Sequence, residues 1–206
     1  MKKIDLKTLE KKIKLRPLAL KDFDSLVELQ KLCFPRMHTW KKEQIESQLK
    51  IFPEGQICIE INKKLVASSS SLIIDFDLYG ENDNWQTLSD LGYITNHDPD
   101  AETLYGIEIM VHPEFRSMKL ARRLYDARKD IARKYNLKNI VIGGRLPNYQ
   151  NHQKKMTARD YVEKVINKEI VDPVLTAQLA NGFVLKRIIP AYLSGDIESA
   201  GFATLL

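Results

Sequence analysis

Cysteine, long apolar runs and aromatic side chains are scarce in this chain, and each shortage closes a class of explanation. The two cysteines, Cys33 and Cys58, are too few for a disulfide framework and lack zinc-ligand spacing. The fold must therefore stand on an apolar core, which 206 residues can bury without metal or disulfide support. No stretch approaches the roughly 20 apolar residues that span a bilayer. The lysine-rich start (Lys2, Lys3, Lys7, Lys11, Lys12) is not followed by the apolar segment of a secretory leader. A cytoplasmic protein without a membrane partner is expected. Aromatic residues make up 8% of the chain and do not interleave with basic ones, so no nucleic-acid partner is expected either. No metal is expected: Asp75, Asp77 and Gly80 begin like a calcium loop, but Tyr79 and Gln86 stand where ligands are needed. Lysine and arginine are absent from Asp75 to Glu102, where eight acidic residues fall (Asp75, Asp77, Glu81, Asp83, Asp90, Asp98, Asp100, Glu102). The rest of the chain is correspondingly basic, which suits either nucleic acid or a small phosphorylated cofactor.

What is present is a mixed α and β pattern with no repeat and no linker, read as a single domain over residues 1–206. Leu15–Leu20 suits a first strand, and Asp22 is placed to cap a helix bearing Phe23, Leu26, Val27 and Cys33 that stops before Pro35. Thr39 is placed to cap a second helix with Ile45, Leu49 and Phe52 on one side. Gln56–Ile61 and Leu65–Ile74 read as a hairpin turning at Asn62–Lys64, with the serine run Ser68–Ser71 inside the second strand. A polar insertion follows, then a strand over Leu104–Val111 that ends at His112-Pro113. Leu120, Leu124, Ala127, Ile131 and Tyr135 make an apolar helical stripe, with Arg122, Arg123, Asp126, Lys129, Asp130, Arg133 and Lys134 facing away. Asn139–Gly143 reads as a buried strand, Thr157–Lys168 and Pro173–Ala180 as helices, and Phe183–Ile189 and Phe202–Leu206 as closing strands.

The stretch from Tyr105 to Ala121 runs strand, turn, helix. A helix start presents free N–H groups and the positive end of the macrodipole, which suit a pyrophosphate. Arg116, Lys119, Arg122 and Arg123 place cations beside it. A solvated basic helix on an ordinary α/β domain fits the same residues, and both readings stay open on the residues alone. Glu108 is a carboxylate inside an apolar run (Ile107, Ile109, Met110, Val111), where burial would raise its pKa towards that of a general base; a structural or solvent-facing carboxylate is the alternative. Glu102 and His112 are lesser candidates. Cys33 and Cys58 have no matched histidine and read as core.

The segment VHPEFRSMKLARRLYDARK resembles the acetyl-CoA motif of the GNAT family of N-acetyltransferases, in which Arg/Gln-x-x-Gly-x-Gly/Ala opens a helix. Arg116 and Ala121 match its first and last positions, while Lys119 stands where the family usually has glycine. Leu32–Trp40 (LCFPRMHTW) and Asn181–Phe183 (NGF) resemble further steps of that fold. The chain is most similar to the acetyltransferase module fused ahead of a carbon-nitrogen hydrolase domain in some bacterial bifunctional proteins, through IFPEGQICIE, LYGIEIMVHPE, MKLARRLYDARK and DPVLTAQLANGFVLKR. The resemblance implies a central mixed, mostly antiparallel sheet of about seven strands, splayed between the fourth and fifth and flanked by helices. On that frame the chain carries insertions at about 75–101 and 145–171.

The resemblance also implies roles. The pantetheine arm of acetyl-CoA, the co-substrate, would lie in the splay against the main chain of Met110 and Val111, and Arg116, Ser117, Met118, Lys119, Leu120, Ala121 and Arg122 would cradle the phosphates. Glu108 would deprotonate a small-molecule or peptide amine acceptor for direct attack on the thioester in a ternary complex. Gln178 stands where many members carry the tyrosine that protonates the leaving thiolate, with Tyr192 and Tyr149 as substitutes. The departures at Lys119 and Gln178 keep a second reading in view, a weakly or non-catalytic acyl-CoA-binding module for regulation or assembly. A fused or associated hydrolase domain is a possible partner, and 206 residues leave no room for one here. By fold analogy, the acidic insertion would face the acceptor and attract a cationic amine, or serve only as a solvated loop.

Overall fold

A computed structural model describes residues 12–79 and 84–206. The lysine-rich start through Lys11, and Gly80, Glu81 and Asp83 of the acidic segment, lie outside the described residues. One sheet carries seven strands in the order β1-β2-β3-β4-β5-β7-β6. They are β1 Ile13–Pro17, β2 Ile57–Ile61, β3 Lys64–Ile74, β4 Thr103–Val111, β5 Asn139–Arg145, β6 Arg187–Ile189 and β7 Ala203–Leu205. Every neighbouring pair is antiparallel except β4–β5, which is parallel. Helices α1 Phe23–Cys33, α2 Lys42–Ile51, α3 Trp85–Leu88, α4 Leu120–Lys134, α5 Ala158–Ile166 and α6 Leu175–Ala180 flank it. This is the mixed, mostly antiparallel architecture expected. Among the described residues, no helix is long and apolar enough to cross a membrane.

Local chemistry explains most boundaries. The β2–β3 hairpin turns on Asn62 and Lys63, both with positive φ, as a tight primed turn requires. Ser68 to Ser71 lie buried at the middle of β3, so the serine run is strand and not linker. The apolar stripe of α4 buries Leu120 and Leu124 completely. Each such side chain contributes about 1.5–3 kcal/mol.

Several boundaries differ from expectation. β1 ends at Pro17, because Leu20–Asp22 forms a 3-10 turn. Asp22 does not cap α1; its carboxylate accepts Ala19 N–H and the Arg16 guanidinium, at 2.7 and 2.9 Å for the latter. Thr39 does not cap α2 either, since the helix starts after Lys41, whose N–H is taken by Gln44 Oε1 at 2.7 Å. Residues 183–186 are not strand; Phe183 turns inward and packs on Tyr125 with ring centroids 5.2 Å apart.

The largest difference concerns residues 75–101, expected as a polar insertion. Its acids build local turns: Asp75 accepts Asp77 N–H, Asp98 accepts Asp100 N–H, and Thr95 donates to Asp90. Its apolar residues Leu88 and Ile94 are fully buried in the main core. The carbonyls of Gly92 and Tyr93 accept from Gln48 and Ser47 of α2 at 2.7 and 2.6 Å. Gly92 has positive φ and lies under Trp40, where an added Cβ would stand 2.3 Å from the indole. The segment is thus part of the packed body.

The same segment finishes the outer edge of β3 beyond β2. Ile73 N–H donates to His97 Nδ1 at 3.0 Å, and Asp98 N–H donates to Ile73 O at 2.9 Å. The His97 ring stacks on Phe52 at 4.6 Å. Burial holds the imidazole below its ordinary pKa of 6.5, because the charged form is poorly solvated there. A depressed folded pKa means that the unfolded chain binds the extra proton, so stability is lost as pH falls below about 6.5. In His97→Gln, which keeps an acceptor for Ile73 N–H, this component disappears. Unfolding temperatures measured from pH 8 to pH 5 should therefore fall more steeply for the parent than for the variant. Parallel curves would show that His97 is not the group titrating.

Candidate functional site

The parallel β4–β5 pairing runs from Thr103–Asn139 to Gly106–Ile142 and stops, although β4 continues to Val111 and β5 to Arg145. Beyond Ile142, β5 pairs with β7 on its other side through Gly143–Arg145. The edge of β4 that faced β5 is therefore left without a strand over its last residues. His112 N–H donates to Val66 O at 2.9 Å, and this fixes the alternation of the β3–β4 ladder. Met110, paired with Ser68, turns its main chain to β3, whereas Ile109 and Val111 turn theirs to the open edge. Of the two main-chain positions expected to meet the cofactor, Val111 faces the gap and Met110 faces β3; Ile109 faces the gap as well. Val111 O already accepts from the Cys33 thiol at 3.3 Å.

Two glycines in β5 allow side chains to lie close against the strand on the far side of the gap. A Cβ on Gly143 would stand 1.9 Å from Tyr192 Oη, and one on Gly144 would stand 2.2 Å from Gln178 Oε1. Tyr192 Oη is bonded to Tyr105 Oη, both rings are buried, and burial pushes the Tyr192 hydroxyl up to about 12. At its end, β5 carries Arg145, held by Asp196 and Glu198 and lying 5.4 Å over the Phe34 ring. The far wall is thereby tied to the end of α1 and to the C-terminal loop.

The near wall is a bulge. The β3–β4 register passes from Ser70–Glu108 to Ser71–Gly106, which leaves Ile107 as the extra residue. Its carbonyl accepts Trp85 Nε1–H from α3 at 3.2 Å. Next to it stands Glu108, half-buried. Oε2 accepts Trp40 Nε1–H at 3.0 Å, and Oε1 accepts Ser68 Oγ–H at 3.3 Å. Loss of water pushes the carboxyl pKa up to about 7, against the opposing pull of those two bonds and the Arg128 charge. A group so poised exchanges a proton near neutral pH. Trp40 is positioned by Gln30, whose Oε1 accepts Trp40 N–H at 2.7 Å, and its ring lies 5.7 Å from that of Trp85.

Past β4, Pro113–Met118 forms a 3-10 turn whose first free N–H, that of Glu114, is taken by His112 Nδ1 at 3.3 Å. Lys119 follows with φ 56°, and α4 begins at Leu120. Arg116, Ser117, Lys119 and Arg122 are exposed here, Met118 and Ala121 are half-buried, and Leu120 is in the core. The left-handed conformation explains why glycine is usual where Lys119 stands, since a side chain there costs about 1–2 kcal/mol.

The lesser candidates fall elsewhere. Glu102 is exposed and paired with Lys138 at 2.7 Å. His112 is a turn cap, and Tyr149 Oη is committed to Met156 O at 3.1 Å. Burial raises the Cys33 and Cys58 thiols above their ordinary pKa, which disfavours a nucleophilic thiolate. Among the described residues, no cluster of three or more His, Cys, Asp or Glu could hold a metal ion. Three contributors escaped sequence reasoning: Trp85, Ser68 and Arg128. Arg128 left a signal, because it falls four residues after Leu124 and three before Ile131, a charge inside the apolar stripe.

The model of the acetyltransferase (GNAT) family matches residues 23–153. Two relatives come from Bacillus subtilis (strain 168). The first, described as the probable hydrolase YhcX, is 53% identical over 204 residues, which are 99% of this chain but 40% of that protein. This chain thus spans well under half the length of that relative. The second, the uncharacterized N-acetyltransferase YkwB, is 32% identical over 189 residues, 90% of this chain and 83% of that one. Among solved structures, the GphF GNAT-like decarboxylase in complex with isobutyryl-CoA shares the fold at a TM-score of 0.77 and 21% identity, over 93% of this chain and 96% of that one. On the family match and the full-length likeness to YkwB, the chain belongs to the GNAT acetyltransferase family.

Proposed function

We propose that this chain transfers an acetyl group from acetyl-CoA to an amine by direct attack within a ternary complex, and that residues 1–206 act as a single domain with Glu108 as the general base. The observation that carries the reading is the half-buried Glu108 carboxyl, held by Trp40 and Ser68 on the strand whose β5-facing edge is left open; loss of water there raises its pKa to about 7. The pantetheine arm lies along that edge and bonds the main chain of Ile109 and Val111, with Met110 between them. Either free N–H is placed to polarise the thioester carbonyl. Arg116, Ser117, Met118, Lys119, Leu120, Ala121 and Arg122 receive the phosphates through main-chain N–H groups at the start of α4 and through cations. Glu108 takes the ammonium proton, the neutral amine attacks the thioester carbon, and the tetrahedral intermediate collapses with cleavage of the C–S bond; the extra N–H proton passes through water to the departing CoA thiolate, leaving amide and CoA thiol. Gln178 supplies no acid at the position where the family carries tyrosine. The likeness to YhcX, covering 40% of that protein, supports a hydrolase domain beside this module in a longer setting.

A second reading, an acyl-CoA-binding module that transfers little, is favoured by one feature: the Glu108 carboxylate is already engaged by both Trp40 and Ser68. Thiol release from acetyl-CoA separates the two when measured with spermidine, a lysine-bearing peptide and a peptide with a free α-amine. Release that depends on an amine supports transfer, whereas saturable binding without release supports the module. A carboxylated acyl-CoA run in parallel for loss of carbon dioxide tests the chemistry named for GphF.

Acetyl-CoA at about 100 times its dissociation constant should stabilise the fold by about 2.7 kcal/mol. Arg116→Ala should weaken that binding, and added salt should weaken it further. Lys119→Gly separates strain from charge: it should raise stability by about 1 kcal/mol and lower cofactor affinity. Tighter binding by the glycine variant would remove Lys119 from the cradle. Glu108→Gln should lower turnover by about 10²–10⁴-fold with acetyl-CoA binding intact; turnover within a few-fold of the parent across a pH series would exclude it as the base.

Glu108 also makes a prediction that needs no acceptor. Between about 4.5 and about 7, the folded chain holds a proton that the unfolded chain has released, so stability falls as pH rises across that window. Glu108→Gln removes this loss. Its unfolding temperature relative to the parent should climb through the window and then level. A difference that stays constant with pH would contradict the raised carboxyl pKa.

A further inference from the structure

Arg128 is 2% exposed, a buried cation on α4 that, among the described residues, has no carboxylate in hydrogen-bonding contact. Its donors go instead to the β4 bulge. Nη2 donates to Ser70 O at 2.8 Å and also to Glu108 O, and Nε donates to Ser71 Oγ at 3.1 Å. These acceptors bracket the step at which the register slips, Ser70–Glu108 to Ser71–Gly106. Room for the guanidinium exists because residue 106 is glycine; a Cβ there would stand 2.5 Å from Arg128 Nη1. Burying a guanidinium is expensive, and an aliphatic side chain at this stripe position would fill the space at lower cost. Only a flat, multi-donor group can reach two carbonyls and a hydroxyl on two strands at once.

We propose that Arg128 is the positioning residue of the Glu108 site: its guanidinium pins the bulge and so fixes where the Glu108 carboxyl stands relative to the open edge of β4. The proposal rests on the acetyl-transfer reading for its catalytic consequence. It also connects the two halves of the site. Arg128 lies eight residues into the helix whose first turn is the proposed phosphate cradle, about 12 Å along the axis. One rigid helix thereby sets the register of both cofactor and base. The titratable and charged groups around Glu108 are Arg128 from α4 and the Cys33 thiol from α1; those around Arg128 are Tyr125 on its own helix and Tyr105 and Glu108 on β4. Burial pulls the Arg128 pKa down to about 10, which leaves it cationic at neutral pH and lowering the Glu108 pKa.

The experiment combines an NMR titration of the Glu108 carboxyl carbon with pH profiles of thiol release in the parent, Arg128→Gln and Arg128→Lys. In Arg128→Gln, the Glu108 midpoint should move above its parent value of about 7, and the acid limb of kcat should move up with it. The maximal kcat should fall on the order of 100-fold, as expected for a misplaced group, with the KM for acetyl-CoA little changed. Arg128→Lys keeps the charge but not the fork, so its midpoint should stay near the parent's while kcat still falls. An unmoved midpoint and acid limb in a folded Arg128→Gln would overturn the proposal, as would full kcat in Arg128→Lys. If Arg128→Gln does not fold, Ser71→Ala and Arg128→Lys carry the test through the kcat loss alone. If the parent binds acetyl-CoA but releases no thiol with any amine, the transfer reading fails and the Trp40 indole N–H signal, which reports its bond to Glu108 Oε2, still decides: a signal displaced in Arg128→Lys upholds the pin, and one unchanged from the parent removes it.

Discussion

The pairing of β4 with β5 ends at Gly106 and Ile142, and the main chain left open beyond it is the constraint on which the rest of the site depends. Unpaired main-chain groups inside a fold cost about as much as a lost hydrogen bond, so they are almost always satisfied. Here three carbonyls of this stretch have donors: Trp85 for Ile107 O, Arg128 for Glu108 O, and the Cys33 thiol for Val111 O. The N–H groups of Ile109 and Val111 face the open edge instead. A ligand arm carrying amide carbonyls would complete that edge as an added strand does.

The same arrangement creates an electrostatic tension that chemistry can use. Glu108 lies where water is scarce, and its carboxyl pKa rises accordingly. Trp40 and Ser68 hold the side chain in one geometry and offset only part of that rise. A structural carboxylate would be better served by a direct cation partner. The cation that acts on it, Arg128, spends its donors on the main chain and the Ser71 hydroxyl. The chain thus holds a destabilised acid at the edge of a gap, as functional sites commonly do at some expense in stability.

The sheet and its helices were legible because they obey local rules. The α4 stripe, the Asn62–Lys63 turn and the stop before Pro35 each follow from spacing or backbone preference. The partial burial of Glu108 was legible for the same reason, as a charge inside an apolar run. The Asp22 cap failed because Arg16 takes the capping group, and the Thr39 cap because α2 begins two residues later, after Lys41. Residues 75–101 misled because their acids dominate the composition, while Trp85, Leu88 and Ile94 do the packing. The placement of Trp85 against a bulge more than twenty residues downstream depends on topology, which no local pattern encodes. The adjacent glycines Gly143 and Gly144 did signal close approach within a strand, but not what approaches: Tyr192 and Gln178, from distant segments.

Amide hydrogen exchange, resolved by residue with and without saturating acetyl-CoA, tests most directly whether the open edge of β4 receives the cofactor arm. Met110 and His112, turned to β3, should exchange slowly in both states. Ile109 and Val111 should exchange readily in the free protein and become strongly protected when acetyl-CoA is bound. If bound acetyl-CoA leaves both amides as exposed as before, the cofactor does not occupy the gap, and the site built around Glu108 is not where the thioester meets the amine.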